Sequence, residues 1–368
     1  MNSWWQVLRF GASAARSALI QGRVLNCLWE LTYRCNAKCT ICGYWRIPAE
    51  PAKELTLAQI QEGLAKVYAY GCRLINFTGG EPTLRRDLED IIHSAARLGI
   101  WTSLVTNGSL LTRQRLRHFK HAGLDHLLIS LDSTDPRVHD GHRRIPGLHA
   151  RVQDCLRWLG EDFLSEHRTG GVMCAVSVAN LGQVCDLVAL ARQRGVYAVL
   201  QPYHSNKTGD SALGAPIGDE VVQQLLALNR PDRTLLNSTM YLKGMARFCQ
   251  GEPLPRCSAG RKYFSVDPYG YLHPCVDTPA AGHLLRDEMS VIRSDQALRT
   301  VAACAGCWYC FRGEADSALT VRGYFEKVRL GLAVIGRNRS RARGSSAAQL
   351  RPDPAVRPSL QGRGSGSA

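Results

Sequence analysis

The strongest constraint on this chain is a rhythm. From Asn26 to Gln201, apolar strand-like runs alternate with helix-like segments, each bounded by its own start and stop signals. Strands are expected at 27–31, 74–77, 102–105, 126–131, 172–178 and 196–200. Helices are expected from Thr56 to Gly71 and at 87–98, 112–122, 150–159 and 181–194. Thr56 and Gln59 have capping-box spacing, and Gly71, Gly99 and Gly123 are helix stops. Repeated strand–helix units mean a parallel sheet with helices outside. Six such units curve into an α/β fold, a partial (β/α)6 TIM-like barrel. Function in that class gathers at the C-terminal ends of the strands. The expected division is a short amphipathic helix over 1–24, the barrel over 25–204 and a helical linker over 205–247. A small cysteine-rich C-terminal extension over 248–316, a helix over 317–336 and a basic tail over 337–368 follow.

Charge locates less than it first promises. The 368 residues carry a formal charge of +15. The tail from 337 holds seven Arg and one Asp, and the first 29 residues hold Arg9, Arg16 and Arg23 with no acid. Those ends hold nine of the fifteen net charges, so the body is ordinary. A basic ordered face with interleaved aromatics is missing, which argues against nucleic acid as the ligand. No apolar run reaches the roughly 18 residues of a spanning helix. The stretch around Trp4, Trp5 and Phe10 fits a helix packed on the body, a membrane-surface contact or a targeting segment.

The 14 cysteines fall into three groups. Cys27, Cys72, Cys155, Cys174, Cys185 and Cys249 read as small core hydrophobes. Cys35, Cys39 and Cys42 follow the first strand with C-x3-C-x2-C spacing. Three thiolates on a short loop can hold a cubane and leave one iron without a protein ligand. Zinc is the alternative, although a structural zinc site wants four ligands. A disulfide would leave an odd cysteine. Cys257, Cys275, Cys304, Cys307 and Cys310 form the last group.

With that spacing at the end of the first strand, the chain resembles radical S-adenosylmethionine (SAM) enzymes over about 25–202. Gly79-Gly80-Glu81-Pro82 follows the second strand, where that family holds the methionine amino group of SAM. Thr106-Asn107-Gly108 follows the third strand. Ser130 matches the family's ribose-contact position, with Asp132 nearby, and His139, Asp140 and Arg143 continue the same stretch. Asn180 and Gln201-Pro202 end the fifth and sixth strands. Ile41 departs from the aromatic residue usual before the third cysteine. The resemblance implies a SAM-binding [4Fe–4S] cluster on Cys35, Cys39 and Cys42, with Gly79, Gly80, Glu81, Pro82, Thr106, Asn107, Ser130, Asp132, Asn180 and Gln201 beside the cofactor. It implies reductive cleavage of SAM to a 5′-deoxyadenosyl radical that abstracts hydrogen from a substrate. No side chain is singled out as catalytic, because the cofactor carries the hard chemistry.

The last cysteine group looks like the SPASM or twitch extension of the same family. A hairpin around Pro268-Tyr269-Gly270 would bring Cys257 and Cys275 together. That resemblance implies one auxiliary [4Fe–4S] cluster on Cys257, Cys275, Cys304 and either Cys307 or Cys310. Structural zinc stays open as an alternative for the same thiolates. A non-catalytic iron–sulfur or zinc protein is the competing function, but it leaves residues 79–82, 106–108 and Ser130 without a task. Expected substrates are a peptide, a protein residue or a small molecule in cofactor or natural-product biosynthesis. An isoprenoid lipid at the membrane surface is the alternative. The short stretch before the barrel leaves no separate leader-peptide domain in view. Tyr203 and His204 are candidate substrate contacts. Expected partners are SAM and a flavodoxin or ferredoxin reductant. Thiolate clusters suit a reducing compartment, so cytoplasm is expected, with peripheral membrane contact through the N-terminal helix.

Overall fold

The computed structural model describes residues 26–165, 167–229, 233–304 and 306–317, with scattered positions from 326 to 338. The expected N-terminal helix, most of the helix over 317–336 and the tail beyond 338 lie outside the described residues.

Six parallel strands form the barrel wall: β1 (Asn26–Thr32), β2 (Leu74–Gly79), β3 (Trp101–Thr106), β4 (His126–Ser130), β5 (Thr169–Val176) and β6 (Tyr197–Pro202). Between them lie α1 (Leu57–Tyr70), α2 (Leu88–Arg97), α3 (Arg113–Ala122), α4 (Pro136–Arg143), α5 (Leu148–Trp158) and α6 (Val184–Gln193). The Thr56–Gln59 capping box forms at the start of α1, and Gly71 closes it in the left-handed conformation. Helix α4 was not expected. Helix α5 runs on into a π-turn over Leu159–Phe163.

The extension is not a detached lobe. Helices α7 (Asp219–Leu228) and α8 (Thr239–Cys249) precede strands β7 (Tyr263–Val266), β8 (Tyr271–His273) and β9 (Gly282–His283). The expected hairpin is β7–β8, and β7 pairs in parallel with β1, with Cys27 opposite Phe264. The result is one nine-stranded sheet ordered β6-β5-β4-β3-β2-β1-β7-β8-β9. Pairing β7 with β1 satisfies backbone groups that an edge strand would leave open. Helices α9 (Asp295–Ala302) and α10 (Cys310–Ser317) complete the described chain.

Strand alternation sorts side chains into two environments. Cys27, Trp29, Ile75 and Phe77 are fully buried under the outer helices. All six cysteines read as core residues join or pack against this layer. Leu28, Asn76, Ser103, Leu128, Met173 and Val199 face inward and line a central cavity.

The far edge at β6 is closed by a side chain that imitates a strand. Ala198 N–H donates to Thr234 O at 2.9 Å, and Leu236 N–H returns a bond to Ala198 O at 2.9 Å. One residue further, Asn237 Oδ1 accepts from Leu200 N–H at 2.7 Å, and Asn237 Nδ2 donates to Leu200 O at 3.0 Å. Helix α10 then covers the gap. Cys310 N–H donates to Gln201 Oε1 at 2.9 Å, and the Glu314 carboxylate accepts from Ser238 N and Oγ. Trp308 anchors this helix, its indole N–H donating to Tyr241 O at 2.9 Å. A Cβ on Gly244 would lie 2.1 Å from the Trp308 ring, so no larger residue fits there.

At the cavity floor His126 stacks on Trp101, with ring centroids 5.7 Å apart. Burial pushes its pKa down to about 4. The unfolded chain therefore takes up a proton below about pH 6.5 that the folded chain refuses. Stability is expected to fall as pH drops from about 6.5 toward 4. Urea midpoints at pH 7 and pH 5 check this, and a pH response as steep in His126→Gln as in the parent would refute the assignment.

Candidate functional site

The cysteine loop leaves β1 and is tied down on three sides. Gly80 N–H donates to Thr32 O and Glu81 N–H donates to Arg34 O, both at 2.8 Å. Thr40 N–H donates to His142 O at 2.9 Å, at the C-terminal end of α4. Trp45 Nε1–H donates back to Cys39 O at 3.1 Å. The loop and the β2 exit run so close that a Cβ on Gly80 would sit 2.3 Å from Arg34 O. Gly79 has φ of +121°, a conformation that L side chains rarely adopt. Gly80→Ala is expected to destabilise the chain by about 1–3 kcal/mol and to loosen the cysteine loop. A melting temperature equal to the parent's would refute that reading. Burial pushes the Cys35 thiol up to about 12, with a smaller lowering by Ala37 N–H. Such a thiol ionises readily only beside a metal or another cation.

Glu81 organises the second loop. Its Oε1 accepts from Thr83 N at 3.0 Å, Thr83 Oγ1 at 2.5 Å and Thr106 Oγ1 at 2.7 Å. Its Oε2 accepts from Asn107 N at 2.7 Å. A carboxylate offers about four lone-pair sites, so open acceptor capacity is confined to Oε2. Asn107 Nδ2 donates to Asn36 Oδ1 at 2.9 Å, joining this loop to the cysteine loop.

A buried ion pair supports the third side. Asp132 accepts from Arg143 Nε and Nη2 at 2.7 and 2.8 Å. Arg143 holds the Asp132 carboxyl below its usual range against the opposing effect of burial. Asp132 N–H donates to His139 Nδ1 at 3.1 Å. Burial pushes His139 down to about 4, so it stays neutral and accepts that bond.

These groups meet in one cavity of about 610 Å³. Cys35, Cys39, Cys42, Gly79, Gly80, Glu81, Thr106, Asn107, Ser130 and Gln201 all line it. Arg143, Lys207, Asn237, Phe311 and Glu314 also line it and were not among the expected cofactor contacts. Arg143 was legible beside its neighbours 139 and 140. The others come from segments without a period or a motif.

Residues 29–190 carry a radical SAM domain match, to the family described as the Radical SAM superfamily. The radical SAM match thus spans the cysteine loop and five of the six barrel strands. The chain is 28% identical over 257 residues to the PqqA peptide cyclase of Rhodopseudomonas palustris, which covers 69% of this chain and 67% of that protein. A second PqqA peptide cyclase, from Bradyrhizobium diazoefficiens, is 25% identical over 298 residues, covering 79% of this chain and 76% of that one. Streptococcus suis SuiB bound to S-adenosylmethionine superposes with a TM-score of 0.63 at 14% identity, covering 80% of this chain and 71% of that one. The structure of anSMEcpe with AdoMet and a Cp18Cys peptide superposes with a TM-score of 0.55 at 15% identity, covering 88% and 99%. These superpositions share the radical SAM fold.

Within this radical SAM barrel, three expected contacts stand behind the wall. Pro82 is buried at the start of a 3-10 turn. Asp132 faces Arg143 and also accepts from Ala175 N at 3.3 Å. Asn180 Nδ2 donates to Asp132 O at 2.7 Å and Ala175 O at 2.9 Å, so its amide holds strand ends together. Tyr203 and His204, expected at the substrate, are used elsewhere. Tyr203 packs on Ala37, Cys39 and Ile41, and its hydroxyl donates to Asp210 O at 2.8 Å. The His204 Nε2 bonds Gly306 O at 2.8 Å, and its ring stacks on Phe248. Neither lines the barrel cavity.

The extension encloses a second cavity of about 410 Å³. Cys257, Cys275, Cys304 and Cys307 line it, whereas Cys310 lines the barrel cavity. Among the described residues, no three His, Cys, Asp or Glu side chains converge on a single-ion site. A cubane takes one iron per thiolate and needs no such convergence.

Proposed function

We propose that this radical SAM enzyme modifies a peptide or protein residue held at the mouth of the barrel cavity. The observation that carries this is the composite cavity, in which the cysteine loop and the strand ends face a wall supplied by α10. Cys35, Cys39 and Cys42 would hold the SAM-binding cluster, and residues 79–81, Thr106, Asn107, Ser130 and Gln201 would flank SAM. When bound, the cluster and SAM supply a 5′-deoxyadenosyl radical for hydrogen abstraction. The protein's own part is orientation and exclusion of water. The loop over 79–81 presents backbone and Glu81 Oε2, Arg143 presents a fixed positive charge, and α10 closes the lateral gap. The relatives support a peptide substrate. Two are named PqqA peptide cyclase, and one structural neighbour holds a Cp18Cys peptide.

The four thiols lining the second cavity support a twitch-like extension with one auxiliary [4Fe–4S] cluster, ligated by Cys257, Cys275, Cys304 and Cys307. Cys310 is then the spare. Cys307→Ala is expected to lower bound iron by one cluster's worth, and Cys310→Ala to leave it unchanged. Equal losses in both would overturn the assignment. A flavodoxin or ferredoxin fits as reductant. The isoprenoid-lipid alternative draws no support from the fold or from these relatives. No helix among the described residues is long and apolar enough to cross a membrane.

The test of function is anaerobic reconstitution, reduction and measurement of 5′-deoxyadenosine. Release that rises with a peptide encoded beside this gene, and not with a prenyl lipid, supports the reading. Stimulation by the lipid alone refutes it.

A further inference from the structure

We propose that Arg312 is a positioning residue that sets the reduction potential of the auxiliary cluster, placing it above the value the four thiolates alone would give. The inference rests on the reading of the second cavity as an iron–sulfur site. Arg312 is 3% exposed and lines that cavity. The other charged residues lining it, Glu252, Arg256, Arg261 and Asp277, are all half-buried or exposed. The Arg312 guanidinium touches a ligand directly. Its Nη1 donates to Cys307 Sγ at 3.7 Å and also to Cys307 O. Its Nη2 donates to Pro255 O at 3.0 Å, two residues before Cys257. Its Nε donates to Asp316 Oδ2 at 3.3 Å, one helical turn along α10. Asp316 in turn accepts from Ser258 Oγ, beside Cys257. Arg312 thus bridges the segments that carry two of the four thiols.

Net charge, burial and hydrogen bonds to sulfur are the protein's levers on cluster potential. A donor to a thiolate sulfur and a buried positive charge both favour the reduced, more negative cluster, so both raise the potential. Asp316 works against this by partly neutralising the guanidinium. The two residues therefore have opposite signs of effect, which a purely structural role would not produce.

The test uses the full-length chain with Cys35, Cys39 and Cys42 replaced by Ala, so that the remaining iron belongs to the second site. Iron and sulfide are counted, and the midpoint potential is read by EPR-monitored redox titration. Arg312→Gln is expected to shift the potential down and Asp316→Asn to shift it up, with Arg312→Lys returning part of the way to the parent. If Arg312→Gln does not fold, the upward shift in Asp316→Asn and the small shift in Arg312→Lys still decide the matter. Unchanged potentials at unchanged iron, or shifts of the same sign in the Gln and Asn variants, overturn the role of Arg312. Absence of iron from the triple-Ala parent overturns the iron–sulfur reading itself.

Discussion

Asp132→Ala is expected to destabilise the chain by about 3–5 kcal/mol, the cost of stranding a buried charge whose partner has been removed. Asp132 has no exposed side-chain surface and Arg143 only 12%. Without the carboxylate, the Arg143 guanidinium would stay buried without its bidentate acceptor. The damage should reach the cysteine loop, because the last turn of α4 receives Thr40 N–H through His142 O. Arg137→Ala is the contrasting case. Its pair with Asp135 leaves the arginine 91% exposed, and exposed pairs contribute about 0–1 kcal/mol. Urea unfolding of both variants gives the comparison. A loss under about 1 kcal/mol in Asp132→Ala would mean that this pair does not support the site.

Cys39→Ala is expected to remove measurable 5′-deoxyadenosine formation while iron at the second cavity persists. Cys39 lines the barrel cavity beside Cys35 and Cys42, and its backbone carbonyl is already committed to Trp45. Cys27→Ala serves as the control, since Cys27 is fully buried in the outer core and should change stability without touching SAM cleavage. Product chromatography together with iron analysis distinguishes the outcomes. Undiminished cleavage in Cys39→Ala would remove the cysteine loop from the chemistry.

The barrel was legible because its signals are local. The Thr56–Gln59 box, the glycine stops and the apolar strand runs each need only a few neighbouring residues to be read. Helix α4 was missed because Pro-Arg-Val-His-Asp-Gly-His-Arg has almost no apolar stripe. It buries His139 and His142 instead, and only Asp135 followed by Pro136 marks its start. The three thiols of the first loop were legible by spacing. Lys207, Asn237, Phe311 and Glu314 were not, because they reach the cavity only when the chain folds back over the open edge at β6. Spacing also could not separate Cys307 from Cys310. The two belong to one C-x2-C-x2-C run, and the start of α10 at Cys310 turns that side chain into a different cavity. Tyr203 and His204, read as candidate substrate contacts, do not line the cavity, since proximity to a strand end says nothing about which way a side chain turns.

Helix α10 is a party wall, and neighbouring letters of its sequence belong to different rooms. Cys310, Phe311, Glu314 and Ala315 look into the barrel, whereas Arg312 looks into the other cavity. A helix with its side chains is about 10–12 Å across, so one such element can present side chains to both cavities. The linings of the two cavities are then written in the same few codons, interleaved yet separately editable. Drift or directed change at one helical face can reshape the barrel cavity while leaving the second cavity as it was, and the opposite face allows the reverse.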